Sequence, residues 1–378
     1  MNDSTERSNI LIAAGGTGGH IFPALAVWET LSERRSDLEL TWLGSSDRIE
    51  SKLIPEKGIE FIPLKATGFR RKPTPANIAY NFRSIWFLIS AIFRSIGVIN
   101  KFKPIIVLTT GGFAAGAVGL AAILTRTPLV IIEPNALPGM TNRFLGKYAK
   151  LVCVAYTKAK SHFPSNKTKL TGVPARKEIA GKNREESRRE LGIDNETLFV
   201  LALGGSQGAL GINRNLPESV KLISTDRPDL RIKVVHQYGT GKENTVAVLK
   251  EPLPEDIYKL VPFIEDVPTW LAASDIVITR AGASTLSEIA CRGIPAIIIP
   301  FPHSAENHQV ENAKSWESAG AAFCIEEKDL TPASLATAML LLLSDPKKRE
   351  SMGREALKFG DPDATNRIAG FIESLISN

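Results

Sequence analysis

The sequence predicts an α/β protein with two domains, each organised around a parallel sheet. Short apolar runs rich in Val, Ile and Leu alternate along the chain with segments of helical periodicity. Such runs are typical of strands that are buried on both faces and joined by helices. The alternation begins again after Gly172-Val173-Pro174, which indicates that a second domain starts there.

The elements can be placed in order along this alternation. Strands are expected at residues 10–14, 38–43, 105–109, 129–132, 151–155, 198–203, 232–236, 276–279 and 296–299. Helices are expected at residues 23–34 and 185–191, and as one amphipathic helix after Gly360. We place the hinge near residues 172–176. The expected organisation is an N-terminal domain over 1–173, a C-terminal domain over 174–360 and a final helix over 361–378 that returns to the first domain.

The composition is ordinary for a soluble globular protein of two domains, with 43% apolar and 23% charged residues in 378. Cys153, Cys291 and Cys324 are widely spaced and form no C-x-x-C pair. We therefore expect a reducing cytosol and neither a disulfide framework nor a zinc site. No histidine pair has metal-binding helical spacing, and Asp361-Pro362-Asp363 is interpreted as a helix start, so no metal site is predicted. The polar N-terminal residues do not resemble a signal peptide.

Positive charge is concentrated in one part of the chain. No acidic residue lies between Glu60 and Glu133, and this interval holds Lys65, Arg70, Arg71, Lys72, Arg83, Arg94, Lys101, Lys103 and Arg126. A surface of one sign favours an anionic partner. Apolar residues are interleaved with the charge, which fits a phospholipid surface better than nucleic acid. The predicted membrane patch consists of Ile85, Trp86, Ile89 and Phe93 together with Arg70, Arg71 and Lys72.

The apolar run at residues 84–93 is shorter than the roughly 20 residues that a bilayer span requires, so we expect no membrane crossing. The alternative is a buried helix of the first domain. Ile85, Leu88, Ile89 and Ile92 follow helical spacing, and some of them are expected to face the core. Trp86 and Phe93 would then form the outer face.

Three glycine loops each follow a predicted strand: Gly15-Gly16-Thr17-Gly18-Gly19-His20, Gly111-Gly112-Phe113-Ala114-Ala115-Gly116 and Gly204-Gly205-Ser206-Gln207-Gly208. Glycine lets the backbone approach a ligand closely, and N–H groups at the following helix start can hold phosphate. None of the loops matches the dinucleotide fingerprint or the P-loop, so each alone could be a tight turn. Together, in two domains, they indicate two phosphate-bearing substrates that meet in one cleft. Gly15, Gly16, Gly111 and Gly112 are the candidates for an acceptor diphosphate.

Two side chains have competing interpretations. His20 ends the first loop, where it could accept a proton from a hydroxyl or merely stabilise the turn. Glu288 stands three residues after Thr285, which is the spacing of a capping box, but a carboxylate there could also accept hydrogen bonds from a vicinal diol. His308 and Gln309, in the loop that follows, could read sugar hydroxyls or be ordinary loop residues.

These motifs occur in one order over residues 10–370, and in that order the chain resembles the MurG-type N-acetylglucosaminyltransferases of glycosyltransferase family 28. The resemblance implies the glycosyltransferase B fold, with two facing Rossmann-like domains and a cleft between them. It implies transfer of N-acetylglucosamine from UDP-N-acetylglucosamine, with inversion, to the C4 hydroxyl of a polyprenyl-pyrophosphate-linked muramyl-pentapeptide. It also implies that no cofactor is required and that the enzyme is peripheral, on the cytoplasmic face of the bacterial inner membrane.

The resemblance assigns roles to individual residues. His20 matches the catalytic-base candidate, Glu288 the residue that holds the ribose hydroxyls, and Gln309 a contact to the sugar. The backbone of Ile264 matches the group that reads uracil. The other donor-binding positions are Thr17, Gly18, Gly19, Asn135, Arg176, Ser206, Ala283, Ser284, Thr285, Leu286 and Ser287. The chain departs from the family pattern at Phe113, Ile132, Pro134 and Val173, which concern the acceptor side.

Three other functions would each explain part of the sequence. A UDP-N-acetylglucosamine 2-epimerase of the same fold would carry Ser-Gly-Gly where this chain has Ala281-Gly282-Ala283. A diacylglycerol glycosyltransferase would share the membrane patch but would not need diphosphate loops. A non-enzymatic membrane binder would not explain Glu288, Gln309 and the three glycine loops.

Overall fold

Two parallel β-sheets organise the chain, and each belongs to a separate unit. The structure is a computed structural model that describes residues 8–65, 67–68, 74–205 and 208–377. The first unit runs to Pro174 and resumes at Asp363, and the second is Ala175–Pro362. All strand pairs are parallel within the described residues, which confirms the prediction of two Rossmann-like domains with parallel sheets.

The first unit contains a seven-stranded sheet in the order β3-β2-β1-β4-β5-β6-β7. Its strands are β1 (Ser8–Ala14), β2 (Leu38–Ser45), β3 (Glu60–Leu64), β4 (Ile106–Gly111), β5 (Leu129–Glu133), β6 (Leu151–Val154) and β7 (Thr168–Leu170). Its helices before the hinge are α1 (Gly18–Arg34), α2 (Glu50–Glu56), α3 (Pro75–Phe102), α4 (Phe113–Leu124), α5 (Met140–Gly146) and α6 (Thr157–Lys160), with a 3-10 turn at Ser165–Lys167.

The second unit contains a six-stranded sheet in the order β10-β9-β8-β11-β12-β13. Its strands are β8 (Leu198–Leu203), β9 (Ile232–Gln237), β10 (Tyr258–Val261), β11 (Ile276–Thr279), β12 (Ala296–Ile298) and β13 (Ala322–Cys324). Its helices are α7 (Lys177–Gly181), α8 (Arg184–Glu190), α9 (Leu210–Asp226), α10 (Val267–Ala273), α11 (Ala283–Arg292), α12 (His308–Ser318), α13 (Pro332–Ser344) and α14 (Pro346–Leu357), with 3-10 turns at Glu243–Thr245 and Ala305–Asn307.

The last helix, α15 (Ala364–Ile376), belongs to the first unit and packs against α1. Its Ile368 and Ile372 are buried in the same apolar layer as Ile10 and Ile12 of β1. Each sheet carries an apolar layer on both faces, because helices cover both sides. This arrangement leaves the carboxyl ends of the strands as the places where loops can form a site.

Helix α3 buries small residues along most of its length, together with Val98 and Ile99 near its end, and exposes several of its large apolar residues. Ser84, Ala91 and Ser95 are buried on the side of α3 that packs against α4, whose sequence is rich in Ala and Gly. Small residues allow two helices to approach closely, so the bulky side chains are directed elsewhere. Of the four residues among which some were expected to face the core, Leu88 and Ile92 are half-buried, whereas Ile85 and Ile89 are 43% and 42% exposed, respectively.

The exposed residues form one stripe along α3, which we call the α3 stripe: Ile78, Phe82, Ile85, Trp86, Ile89 and Phe93. Phe82, Trp86 and Phe93 are each about 70% exposed. By length and composition, α3 is the one helix in the described residues that could cross a membrane. Of its most apolar window, 28% is buried inside the protein. A single helix of this kind is weak evidence for a span. Arg70, Arg71 and Lys72 of the predicted patch lie outside the described residues.

Candidate active site

The predicted loops lie where the strand order of each sheet changes direction. In the first sheet this point is between β1 and β4, and in the second it is between β8 and β11. Open parallel sheets bind ligands outside the carboxyl ends of the strands at such points. Residues 15–20 follow β1, Gly111 and Gly112 end β4, residues 204–205 follow β8, and residues 280–283 follow β11. Each unit therefore presents a candidate site built from the segments that the sequence singled out.

In the first unit, the loop after β1 is held by a carboxylate that sequence reasoning missed. Glu50 is fully buried and accepts hydrogen bonds from the Gly16 N–H (3.1 Å) and the Ser45 N–H (3.0 Å). The Gly16 N–H is therefore already used inside the protein. Nothing in the sequence near Glu50 marks this contact, because its partner Gly16 lies 34 residues earlier.

Helix α1 begins at Gly18, five residues earlier than predicted, so His20 lies in its first turn. Pro23, where the helix was expected to start, lies inside it. The start is fixed by the Thr17 carbonyl, which accepts hydrogen bonds from the N–H groups of His20 and Ile21. The Gly18 and Gly19 N–H groups have no partner within the described part of the chain, so they can receive a ligand anion.

His20 makes hydrogen-bond contacts through its ring and through its own backbone carbonyl. Its Nδ1 lies 3.3 Å from the Gly15 carbonyl oxygen, and Thr110 Oγ1 donates to the His20 carbonyl at 2.8 Å. A carbonyl oxygen can only accept, so the contact to Gly15 favours the tautomer with the proton on Nδ1. That tautomer leaves Nε2 as the basic nitrogen.

The loops after β1 and β4 are in close contact. Gly112 adopts φ 96°, and a side chain there would come within 2.7 Å of the Gly15 carbonyl oxygen. This position therefore requires glycine for its backbone conformation and for the close approach.

A second buried acid organises the loop after β5. Glu133 is 1% exposed and accepts hydrogen bonds from the N–H groups of Asn135 and Gly139 and from the side-chain amides of Asn135 and Asn142. Asn142 also donates to the carbonyl of Thr110, the residue whose hydroxyl holds His20. Burial raises the pKa of Glu133 to about 7, and the N–H donors act against this rise. Asn135, a predicted donor contact, is thus held rigidly by Glu133.

In the second unit, Glu288 is not part of a capping box. Helix α11 begins at Ala283 with Gly282 as its N-cap, so Thr285 lies inside the helix and makes no cap. Glu288 is 4% exposed, and its two carboxylate oxygens accept hydrogen bonds from Nε and Nη2 of Arg176 at 2.7 and 2.9 Å. Burial raises the pKa of Glu288, and the bonds and charge of Arg176 act against this rise. The structure thus brings together two of the predicted donor residues.

The start of α11 also offers free N–H groups. The Leu286 N–H bonds to the Gly282 carbonyl, whereas those of Ala283, Ser284 and Thr285 have no partner within the described chain.

Ile264 has a buried side chain, but neither its N–H nor its C=O has a partner among the described residues. One free donor and one free acceptor match the edge of a uracil ring.

The loop of residues 301–309, here called the sugar loop, carries the predicted sugar contact. Gln309 Oε1 accepts a hydrogen bond from the Phe301 N–H at 3.0 Å, and the Gln309 N–H donates to Ser304 Oγ at 3.3 Å. The Gln309 Nε2 group has no partner among the described residues and can bind a ligand. Glu306 and Asn307 have φ values of 53° and 57°, which are strained for residues other than glycine.

The structure places the predicted residues as follows. Thr17, Gly18, Gly19 and Asn135 belong to the first unit with His20. Arg176, Ile264, Gln309 and residues 283–288 belong to the second. Ser206 lies outside the described residues.

Both units match models of one enzyme family. Residues 10–154 match the glycosyltransferase family 28 N-terminal domain, and residues 198–368 match its C-terminal domain.

Proteins similar to this chain over nearly its whole length support the family match. The UDP-N-acetylglucosamine--N-acetylmuramyl-(pentapeptide) pyrophosphoryl-undecaprenol N-acetylglucosamine transferase of Desulforudis audaxviator (strain MP104C) is 36% identical over 97% of this chain and 98% of the relative. The crystal structure of Acinetobacter baumannii MurG is 28% identical, covers 97% of this chain and 99% of that one, and superimposes with a TM-score of 0.73. A UDP-N-acetylglucosamine 2-epimerase structure from Listeria monocytogenes, described as putative, has a TM-score of 0.69 over 97% and 96% of the two chains.

At 16% identity, the epimerase likeness shows the fold alone. The family models and the full-length relatives go further. The chain therefore belongs to glycosyltransferase family 28.

Proposed function

We propose that this hexosyltransferase moves N-acetylglucosamine from UDP-N-acetylglucosamine to the C4 hydroxyl of the muramyl sugar of undecaprenyl-pyrophosphoryl-N-acetylmuramyl-pentapeptide. The main support is the full-length similarity to relatives that bear the name of this activity, at about 36% identity. The 2-epimerase and the diacylglycerol glycosyltransferase are not favoured, because the full-length relatives named above carry the name of the transferase.

The second unit has the groups that a UDP-sugar requires. The free peptide groups of Ile264 suit uracil, and the ionised Glu288 suits the ribose diol, because each carboxylate oxygen can accept a further hydrogen bond beside that of Arg176. The Gln309 Nε2 group suits a sugar hydroxyl. These roles are the donor half of the proposal.

The first unit has the group that would activate the acceptor. His20 Nε2 takes the proton of the C4 hydroxyl as that oxygen bonds to the anomeric carbon. The bond between the anomeric carbon and the UDP oxygen breaks on the opposite side, so the configuration inverts. Since Gly16 donates to Glu50, we assign the anion contacts of this loop to the free N–H groups of Gly18 and Gly19.

The departing UDP carries negative charge, which N–H groups at helix starts can stabilise without a metal ion. The free N–H groups at the start of α11 are the candidates. We therefore expect turnover to persist, with only a modest loss, after dialysis against EDTA. Complete inactivation that Mg²⁺ or Mn²⁺ reverses would contradict this account.

A polyprenyl-linked acceptor stays in the bilayer, so the enzyme has to reach the membrane surface. The α3 stripe is an exposed apolar surface flanked by Arg83 and Arg94. We propose that it attaches the protein peripherally to the cytoplasmic face of the inner membrane.

The test is an assay with purified protein, labelled UDP-N-acetylglucosamine and a short-chain muramyl-pyrophosphoryl polyprenol. The expected product is a β-linked disaccharide on the polyprenol. Label that becomes N-acetylmannosamine without acceptor would indicate an epimerase. Transfer to diacylglycerol but not to the polyprenol would indicate a glycolipid synthase.

A further inference from the structure

Arg280 lies at the switch point of the second sheet, directly after β11, and had no role in the sequence prediction. Its side chain is 12% exposed. Nη1 donates to the carbonyl oxygens of Ile299 (3.1 Å) and Pro300 (3.4 Å), which precede the sugar loop. The guanidinium thus holds the backbone at the point where the loop leaves the sheet.

Two further contacts fix Arg280 itself. Nη1 also lies 2.9 Å from Glu327 Oε2, which forms an ion pair with it. The guanidinium lies over the ring of Phe301, 5.5 Å from its centroid. A planar, delocalised cation can bond carbonyls and a carboxylate in its plane while its face stacks on an aromatic ring, which an ammonium cannot do.

Phe301 is therefore held from two directions. Arg280 stacks on its ring, and Gln309 Oε1 accepts its N–H. The hydrogen bond from the Phe301 N–H to Gln309 Oε1 also fixes the rotamer of Gln309 and thus the position of its free Nε2 group. Since Glu306 and Asn307 are in the left-handed region, the loop needs such external contacts to keep its conformation.

We propose that Arg280, anchored by Glu327, is a positioning residue that holds the sugar loop in the conformation in which Gln309 meets the transferred sugar, and so sets selectivity for the sugar. This inference rests on the proposed function, which gives Gln309 its ligand. It adds a residue pair that does not itself touch the sugar.

The test compares Arg280→Lys and Glu327→Gln with Glu326→Gln. Glu326 is the neighbouring acid, which pairs with Lys328 and not with Arg280, so it is a matched control for loss of charge. Calorimetry gives the Kd for UDP and for UDP-N-acetylglucosamine. Initial rates give kcat/KM for UDP-N-acetylglucosamine and for its C4 epimer.

Both variants should bind UDP within about twofold of the parent but lose about tenfold in affinity for UDP-N-acetylglucosamine, since misplacing one polar contact is worth roughly that much. Discrimination against the C4 epimer should fall by a similar factor, and Glu326→Gln should match the parent. The thermal midpoint of Glu327→Gln, which keeps the shape of the side chain, checks that the fold persists.

Unchanged discrimination in both folded variants would overturn the proposal. A parallel loss of UDP and UDP-N-acetylglucosamine affinity in Arg280→Lys would instead mean that Arg280 contacts the nucleotide. Failure of the proposed function would look different, because the parent protein itself would then transfer no sugar to the muramyl-pyrophosphoryl polyprenol.

Discussion

Arg176 holds both oxygens of Glu288, and this pair determines the charge that a bound ribose would meet. The carboxylate must be ionised to accept hydrogen bonds from two hydroxyls. Burial raises its pKa, and Arg176 keeps that rise in check. UDP affinity is therefore expected to fall as the pH decreases and the carboxyl takes up a proton.

Replacement of Arg176 by Ala should raise the pKa of Glu288 further, so UDP binding should be lost at a higher pH than in the parent. Calorimetric titration with UDP at a series of pH values measures the midpoint. Glu288→Gln should bind more weakly by about 1.5–3 kcal/mol and show no such midpoint. Identical pH profiles for the parent and Arg176→Ala would show that the pair does not control UDP binding.

His20 provides a second prediction for a single residue. If Nε2 accepts the proton of the acceptor hydroxyl, His20→Ala should lower kcat by roughly 10²–10⁴ while the Kd for UDP-N-acetylglucosamine stays near that of the parent. His162→Ala, an exposed histidine of the same unit, is the control. A kcat within a few-fold of the parent would reduce His20 to a turn residue.

At the scale of elements, the sequence predicted the buried strands and missed the edges. The four strands that were not predicted, β3, β7, β10 and β13, are the edge strands of the two sheets. Edge strands are short and partly exposed, so they include polar residues such as Glu60, Lys169 and Lys259 and lack the apolar run by which a buried strand is recognised.

The contacts that hold the loops in place could not be predicted from the sequence either. Glu288 and Thr285 have the spacing of a capping box, but only the fold shows that the helix starts two residues before Thr285 and that Arg176, more than a hundred residues away, is the partner of Glu288. Glu133 acts on the loop that directly follows it, but Glu50 acts in the same long-range way on the loop after β1, through the Gly16 N–H. Long-range pairs of this kind leave no periodic signal in a single sequence.

The Glu133 loop leads to a prediction about stability. The carboxyl has a pKa of about 7 in the folded protein against 4.5 in the unfolded chain, so the folded state favours the neutral form. This contribution is fully present below pH 4.5 and is lost as the pH rises through 7, a change of about 3 kcal/mol.

Glu133→Gln cannot titrate, so the thermal midpoint of the parent, relative to that of this variant, should fall between pH 5 and pH 8. Scans at several pH values measure the difference. The absolute midpoint of the variant is expected to be lower, because its amide NH₂ meets N–H donors, but only the slope tests the idea. Parallel pH curves for the two proteins would contradict it.

At the scale of the whole molecule, the unusual surface is the α3 stripe. A helix of a soluble protein normally buries its large apolar residues, whereas α3, apart from Val98 and Ile99 near its end, buries serine and alanine and exposes Phe82, Trp86 and Phe93. Water does not stabilise such a surface, and a lipid headgroup region does. Attachment of the entire protein to vesicles should therefore depend on these three side chains.

Trp86→Ser with Phe93→Ser should reduce partitioning into vesicles of anionic phospholipid by over a hundredfold, since each large apolar side chain contributes about 1.5 kcal/mol or more when it leaves water. Leu341→Ser, which removes an exposed apolar residue of the second unit, is the control. The rate with a short-chain, water-soluble acceptor should be unchanged, because the stripe contains none of the residues proposed to bind substrate.

Vesicle sedimentation at low and high salt separates the electrostatic from the apolar contribution to membrane binding, because salt weakens the contribution of Arg83 and Arg94 and leaves that of the aromatic residues. Equal partitioning of the double variant and the parent would show that α3 does not attach the protein to the membrane.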